Sequence, residues 1–289
     1  MSNWDDIRYF LELARRGSLS EAARQLGVEH STVARRIAGL EEALGLTLFE
    51  RLPRTYRLTA DGKELLARAE AMEETVFALE RTARGRRATV GGLVRISAPP
   101  MLSIEFIAPR LGPLRKAHPD LHLELIGEIA NASLTRREAD IALRLSRPAE
   151  ASLIVRRVGT LHFGLYGHRD YLAATPKAAW DYIGYDESLA HVPQQQWLLK
   201  LAAGRPLSFR SNDISILAAA TRAGLGVAVL PHVVATHPDL VCLATDTVAS
   251  RELWVVIHPD LKRAAPIRAT VDHLADIMAG LPEKPYSVA

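Results

Sequence analysis

Near the N-terminus, apolar residues recur every three or four positions in three short stretches, which is the spacing of an amphipathic helix. Gly17 ends the first stretch. The second opens with Ser18-Leu19-Ser20-Glu21, which predicts a capping box, and it ends at Gly27. The third begins near Ser31 and ends at Gly45. Two short helices joined by a glycine-containing turn predict a helix-turn-helix.

Two short apolar segments follow, Leu46–Phe49 and Tyr56–Thr59, and they predict a β-hairpin, or wing. One long helix is then predicted from about Thr59 to Arg84. Its apolar positions alternate between spacings of four and three, as in a coiled-coil seam: Leu65, Ala69, Met72, Val76, Leu79 and Ala83. The seam favours a dimerising linker helix. The same spacing also fits an amphipathic helix packed on its own domain.

From Leu93 onwards, strand-like and helix-like segments alternate. The predicted strands are Leu93–Ser97, Leu121–Ile126, Asp140–Leu145, Leu161–Tyr166, Tyr182–Tyr185, Leu207–Arg210, Val227–Leu230 and Leu253–Ile257. The predicted helices are Ile104–Ala117, Gln194–Ala202, Ile214–Arg222 and Ile267–Met278. This alternation predicts parallel sheets with helices on both faces. The chain is therefore expected to be multidomain, with an α-helical winged domain followed by an α/β domain.

Composition and charge narrow the function only slightly. The net charge of +3 does not by itself indicate a nucleic-acid partner, but Arg35 and Arg36 are adjacent and further arginines cluster in the wing. The single cysteine, Cys242, excludes an internal disulfide framework. The first residues are polar and acidic where a secretory signal would be basic, and no stretch is apolar enough to span a bilayer. We therefore expect a cytoplasmic protein without a membrane partner.

Enzyme motifs are weak. Gly224-Leu225-Gly226 resembles part of a dinucleotide-binding loop, but it follows a predicted helix and precedes a strand, which is the reverse of the required order. The sequence has no glycine-rich lysine loop, no His-Glu-x-x-His and no Gly-x-Ser-x-Gly, and its histidines lack metal-ligand spacing. We expect no catalytic residues, no cofactor and no metal site.

The N-terminal block resembles the LysR-type transcriptional regulators. The matching residues are Phe10, Gly17-Ser18-Leu19-Ser20-Glu21-Ala22-Ala23, Leu26, Val28, Val33, Arg35, Ile37, Leu40-Glu41, Leu44-Gly45, Leu48-Phe49-Glu50-Arg51 and Arg57-Leu58-Thr59-Ala60-Asp61-Gly62. Later segments are similar more loosely: His118-Pro119, Asp140-Ile141-Ala142 and Ala223-Gly224-Leu225-Gly226-Val227-Ala228-Val229-Leu230-Pro231.

The resemblance implies a domain order. It implies a winged helix-turn-helix in residues 1–60, a linker and dimerisation helix in 61–88, and an effector-binding domain in 92–289 that resembles periplasmic binding proteins. Lobe one of that domain would comprise 92–160 and 262–289, and lobe two 161–261. The implied partners are double-stranded DNA, a small-molecule effector, further copies of the chain in a dimer or tetramer, and RNA polymerase.

The DNA contacts follow from the geometry of the motif, because the N-terminal part of its second helix enters the major groove. The predicted DNA-binding residues are Ser18, Ser20, His30, Ser31, Thr32, Arg35, Arg36, Arg51, Arg54 and Arg57. Many relatives carry Gln at the position of His30 and Ser at that of Ala34. The family's base preference therefore does not transfer to these contacts.

Ligands of α/β folds bind at the carboxyl ends of strands, where helix N-termini supply free amides. Together with the resemblance, this predicts ligand-binding roles for Pro99, Pro100, Met101, Ala130, Asn131, Arg144, Leu145, Asn212 and Asp213. An anionic metabolite held by amides and Arg144 is one hypothesis. Helix capping alone also explains Asn131 and Asp213.

Two other functions remain open from the residues. In one, the chain binds DNA but its C-terminal domain only oligomerises. In the other, more remote, it is a solute-binding or transferase protein whose N-terminal helices do not contact DNA.

A first prediction concerns the wing. Replacing Arg54 with Ala should weaken binding to every DNA sequence and reduce the slope of log affinity against log salt by about one, because a phosphate contact is lost. Fluorescence anisotropy with labelled duplexes at several salt concentrations measures this slope. An unchanged slope would contradict a phosphate-binding role.

Overall fold

The computed structural model describes residues 4–52, 55–85, 90–128, 139–148, 150–234 and 237–284. The chain forms two compact units, Met1–Glu80 and Arg81–Ala289, called unit 1 and unit 2 below. Within these described ranges, every helix is too short or too polar to cross a membrane.

Unit 1 contains three short helices, a hairpin and most of a long helix. In chain order these are α1 (Trp4–Arg16), α2 (Leu19–Leu26), α3 (His30–Leu44), β1 (Phe49–Leu52), β2 (Thr55–Leu58) and α4 (Ala60–Gly85). The glycines predicted to end the three short helices follow them directly. Gly17, Gly27 and Gly45 have φ values of +66°, +69° and +65°, the left-handed conformation that favours glycine. The core consists of Phe10, Leu11, Leu13, Ala22, Ala23, Val33, Ile37, Leu40, Leu48, Phe49 and Ala69.

Two local predictions for unit 1 are wrong. Ser18 is the N-cap of α2, but its side chain makes no capping hydrogen bond, so the predicted capping box is not formed. The first wing strand begins at Phe49 rather than at Leu46. The backbone N–H groups of Leu48 and Phe49 donate to the Glu41 carboxylate of α3, at 2.7 and 3.2 Å. The Glu41 carboxylate therefore pairs with backbone N–H groups that would otherwise be available to a neighbouring strand.

An ion pair joins α4 to α1. Arg15 donates two hydrogen bonds to the Glu73 carboxylate, one of them 3.1 Å long, and the Glu73 side chain is only 8% exposed. Burial would by itself lower the pKa of Arg15, but the hydrogen bond and charge of Glu73 outweigh burial and raise it. The first turns of α4 therefore belong to unit 1. In contrast, Met72 and Leu79 of the predicted seam are 43% and 69% exposed.

Unit 2 is an α/β domain. Its strands are β3 (Gly92–Ala98), β4 (Leu121–Gly127), β5 (Ile141–Arg144), β6 (Ile154–His168), β7 (Tyr182–Tyr185), β8 (Leu207–Ser211), β9 (Ala228–Pro231) and β10 (Leu240–Ile257). Its helices are α5 (Pro100–Leu102), α6 (Gly112–Ala117), α7 (Arg169–Ala174), α8 (Pro193–Ala202), α9 (Ile214–Arg222) and α10 (Ala265–Met278). Buried apolar residues from the strands and helices form one extended core, and Ala139, Ala142 and Val256 form a small separate cluster.

The main sheet is mixed, so the prediction of parallel sheets is wrong in part. Its six strands lie in the order β4-β3-β5-β10-β6-β9. Strand β3 is parallel to β4 and β5, but β10 is antiparallel to both β5 and β6, and β9 is antiparallel to β6. The antiparallel pairs β5–β10 and β6–β9 lie almost entirely within the predicted strands, so only their direction was missed. The pairing of β6 with β10 also uses residues outside Leu161–Tyr166 and Leu253–Ile257, which the apolar pattern did not reveal. Strands β7 and β8 form a separate parallel pair.

The predicted helix Ile104–Ala117 is also wrong as a single element. A π-helical stretch, Ser103–Ile107, and a 3-10 turn, Ala108–Arg110, precede the short α6. Pro109 and Pro113 lie within the predicted range, and each lacks the backbone N–H that an α-helix needs. The apolar periodicity correctly predicted that this segment is helical. It did not predict the change from π-helical to 3-10 and then to α-helical hydrogen bonding.

A second prediction tests the packing of unit 1. A Cβ atom added at Gly62, in the first turn of α4, would lie 2.2 Å from the Leu48 backbone oxygen. We expect Gly62→Ala to destabilise the protein by about 2 kcal/mol, because neither backbone can yield without repacking. Gly39 in α3 has nothing within 4 Å of such a Cβ, so Gly39→Ala should stabilise by about 0.5–1 kcal/mol. Urea unfolding followed by circular dichroism compares the two variants, and equal changes would contradict this account.

Candidate nucleic-acid interface and ligand cleft

Helix α3 has one buried face and one exposed polar face. Val33, Ile37 and Leu40 pack inward and are at most 2% exposed. Near the start of the helix, His30, Ser31 and Arg35 are exposed, and Thr32 is half-buried. The helix therefore presents hydrogen-bonding side chains at the end that a helix-turn-helix inserts into the major groove.

Arg36 is held within unit 1, unlike its neighbour Arg35. Its Nη1 lies 3.0 Å from the Asp6 carboxylate of α1, and its guanidinium stands over the Tyr9 ring at 5.7 Å from the centroid. These contacts link α3 to α1. A DNA contact by Arg36 stays a prediction, and it would compete with this ion pair.

The wing lies against the turn between α1 and α2. The Tyr56 backbone N–H donates to the Gly17 carbonyl at 2.7 Å, and the Thr55 hydroxyl donates to the same oxygen at 3.1 Å. Ser20, close to this turn, is exposed, and Ser18 is half-buried. The predicted DNA residues at the start of α2 and in the hairpin thus belong to neighbouring parts of unit 1.

The wing arginines differ in their surroundings. Arg51 is 66% exposed and lies 3.8 Å from the Glu41 carboxylate. Arg57 is exposed and pairs in register with Glu50 across the hairpin. Arg54 lies outside the described residues. Exposed arginines on a hairpin suit contacts to phosphates or to a narrow minor groove.

A cavity of about 240 Å³ lies in unit 2, where β3 and β5 end. All the predicted ligand-binding residues that the structure describes line it: Pro99, Pro100, Met101, Arg144, Leu145, Asn212 and Asp213. The predicted Ala130 and Asn131 lie outside the described residues. Because β3 and β5 are parallel, their carboxyl ends meet at one edge of the sheet, which brings these residues together.

None of the other lining residues was predicted from the sequence. The additional polar ones are Glu128, Ser146, Tyr185, His191, Gln194 and Arg251. The additional apolar ones are Leu143, Leu161, Phe163, Leu189, Val192, Ile214 and Pro231. Glu128 and Tyr185 also end or follow strands, so the rule used for Arg144 would have found them. Arg251 lies within β10, in a part that carried no strand signal.

Two arginines line the cavity. Arg144 Nη1 donates to the Ser97 hydroxyl at 3.2 Å and to the Leu143 carbonyl at 2.9 Å, and Arg251 Nε donates to the Leu145 carbonyl at 3.1 Å. Burial lowers the pKa of both guanidiniums, but arginine remains charged in proteins. These backbone contacts orient two cations at the cavity wall.

The phenol of Tyr185 remains protonated at neutral pH. Burial raises its pKa to about 12, although the nearby Gln194 side-chain amide favours the ionised phenol and opposes the rise. Asp213 caps α9, because its carboxylate accepts a hydrogen bond from the Ser215 N–H at 2.7 Å. Asp213 therefore both caps α9 and lines the cavity. Over the described parts of the chain, no group of three or more His, Cys, Asp or Glu could hold a metal ion.

Comparison with known proteins assigns both units to families. Residues 4–63 match the family described as bacterial regulatory helix-turn-helix protein, lysR family. Residues 87–279 match the LysR substrate binding domain. The chain is 33% identical over 287 residues to the Mau operon transcriptional activator of Paracoccus denitrificans, covering 96% of this chain and 97% of the relative.

Solved structures share the fold. The full-length Vibrio cholerae virulence activator AphB has a TM-score of 0.64 at 20% identity, covering 95% of this chain and 99% of that one. Full-length CbnR in complex with its target DNA has a TM-score of 0.60 at 19% identity, with coverage of 95% and 99%. Since both domains match in the same order, and one relative is similar along nearly its whole length, this chain belongs to the LysR family of transcriptional regulators, which bind DNA and effectors, form oligomers and are not enzymes.

Proposed function

We propose that this regulator binds its operator through the exposed start of α3 and the wing, and that a small anionic effector bound in the cavity of unit 2 controls this binding. The observation that carries the proposal is the pair of oriented guanidiniums, Arg144 and Arg251, in the wall of a cavity lined by both apolar and polar side chains. Half-buried guanidiniums of this kind favour a ligand with a carboxylate or phosphate group.

For the DNA side, we propose that Ser31, Thr32 and Arg35 contact base edges, and that His30 contributes next to them. Exposure of these side chains at the start of α3 supports this assignment. Ser18 and Ser20 at the start of α2, and Arg51, Arg54 and Arg57 in the wing, would contact phosphates. Arg36 would act mainly by holding α3 on α1 through Asp6.

For the effector side, we propose two lobes, residues 92–160 with 262–289 and residues 161–261, that close on the ligand. The first boundary falls within β6, and the second falls shortly after β10. These two long paired strands would then serve as the hinge. A coupling free energy of about 1–3 kcal/mol between effector and DNA is enough for such control.

We also propose that the chain acts as a dimer or tetramer in the cytoplasm and contacts RNA polymerase on DNA. Exposed Met72 and Leu79 on α4 support self-association through the predicted seam, since large apolar side chains at regular helical spacing are typical of a paired helix. The alternative, in which unit 2 only oligomerises, predicts that no metabolite changes DNA affinity.

The role of Arg36 can be separated from that of Arg35 by mutation. With an operator selected from a random DNA library, Arg35→Ala should reduce the preference for specific over unrelated DNA by about tenfold or more, as expected for a lost base contact. Arg36→Ala should weaken DNA binding no more than Asp6→Ala does, because both variants break the same ion pair. A much larger loss for Arg36→Ala would assign it a direct DNA contact.

The effector site can be tested by thermal-shift screening of the full-length protein with small carboxylates and phosphates. A ligand present at a hundred times its Kd stabilises the folded state by about 2.7 kcal/mol, which is readily seen as a higher Tm. We expect at least one anion to stabilise the wild type and to lose this effect in Arg251→Ala. A broad panel without stabilisation would contradict the proposal, as would unchanged DNA footprints in the presence of a ligand that does bind.

A further inference from the structure

The cavity of unit 2 contains a hydrogen-bond acceptor that lacks a donor. Gln194, in the first turn of α8, is 3% exposed and lines the cavity. Its Oε1 is buried and has no hydrogen-bond partner among the described residues. Buried polar atoms without partners are rare in folded proteins, and one that lines a binding cavity is available to a hydrogen-bond donor on a ligand.

A second acceptor lies in the same cavity. Glu128 directly follows β4, and its backbone N–H donates to the Ala98 carbonyl at 3.0 Å, which fixes its position at the cavity edge. Its Oε2 is buried and likewise has no partner in the described part of the chain. Burial lowers the pKa of Arg144, and the negative charge of Glu128 opposes this, so the two side chains are close enough to interact electrostatically.

The charges in the cavity are balanced. The two guanidiniums of Arg144 and Arg251 and the two carboxylates of Glu128 and Asp213 line the same cavity. A ligand that carried only negative charge would gain from the arginines but would meet repulsion from the carboxylates. A ligand with both an anionic group and a hydrogen-bond donor could pair with the arginines and also with the acceptors Gln194 and Glu128.

We propose that the effector is a small carboxylate that also carries a hydroxyl or amino group, and that Gln194 selects it by accepting a hydrogen bond from that group. This inference rests on the proposed effector function of the cavity. The apolar wall, which includes Met101, Leu161 and Phe163, would hold an aliphatic or aromatic side chain. A cavity of about 150 Å³ holds benzene, so the 240 Å³ here suits a ligand of roughly ten non-hydrogen atoms.

Two matched series of compounds test this selection. The first is 4-methylpentanoate, its 2-hydroxy derivative and leucine; the second is 3-phenylpropanoate, 3-phenyllactate and phenylalanine. Within each series the carbon skeleton is constant, and only the added donor changes. Isothermal titration calorimetry with the full-length protein gives a Kd for each compound. We expect the hydroxy or amino member of at least one series to bind at least about tenfold more tightly than the plain carboxylate, because it pairs an acceptor otherwise left unsatisfied.

The variant Gln194→Met keeps the length of the side chain and removes its acceptor. It should reduce this preference to less than about threefold while leaving the affinity for the plain carboxylate nearly unchanged. Gln196→Met is the matched control, since Gln196 is exposed on the same helix, bonds to the Ala190 carbonyl and does not line the cavity. Thermal unfolding of both variants checks that each is folded.

The outcomes distinguish this inference from the proposal on which it rests. Equal binding of plain and substituted carboxylates overturns the selection by Gln194 but retains an anionic effector. A preference that persists in Gln194→Met also overturns the role of Gln194. Failure of all six compounds to bind the wild type overturns the inference, and the wider anion screen described above then decides the proposed function separately.

Discussion

The antiparallel pairing of β10 with β5 and β6 places Arg251 at the cavity of unit 2. Strand β10 lies between β5 and β6, and its register sets Trp254 opposite Arg144 on one side and Arg251 opposite Leu161 on the other. Arg251 then reaches the Leu145 carbonyl just beyond β5. A slip of one residue would turn every side chain of the strand to the opposite face and remove Arg251 from the cavity. The two cations are therefore brought together by backbone register rather than by proximity in the sequence.

Unit 1 fixes its functional surface in a different way, through helices that are short and closed at their ends. Helices α1, α2 and α3 each end at a glycine and are therefore short. Each contributes one apolar face to a small core, and its polar residues remain on the surface. Ion pairs such as Arg36–Asp6 add orientation, although partly exposed pairs of this kind contribute only about 1 kcal/mol or less each. Packing of the apolar faces holds the fold, and the charged pairs set the directions of the helices.

The features that could be predicted from the sequence are those that depend on neighbouring residues. Local patterns predict the three helix ends at glycines, the hairpin and the strand that ends at Arg144. They also predict that several cavity residues cluster at strand ends. Arg251 and Gln194 could not be found in this way, because they enter the cavity through contacts between distant segments. The failed capping box at Ser18 and the interrupted helix after Leu102 show the reverse case, in which the three-dimensional surroundings override a local preference.

The Arg15–Glu73 pair has a mechanical consequence. Two hydrogen bonds between planar groups fix both the distance and the relative angle of the two side chains, so they tie the middle of α4 to the end of α1. Rotation of α4 about its own axis would break both hydrogen bonds, so the pair opposes such a rotation within unit 1. The angle of α4 relative to α1 is therefore set by a side-chain contact as well as by apolar packing.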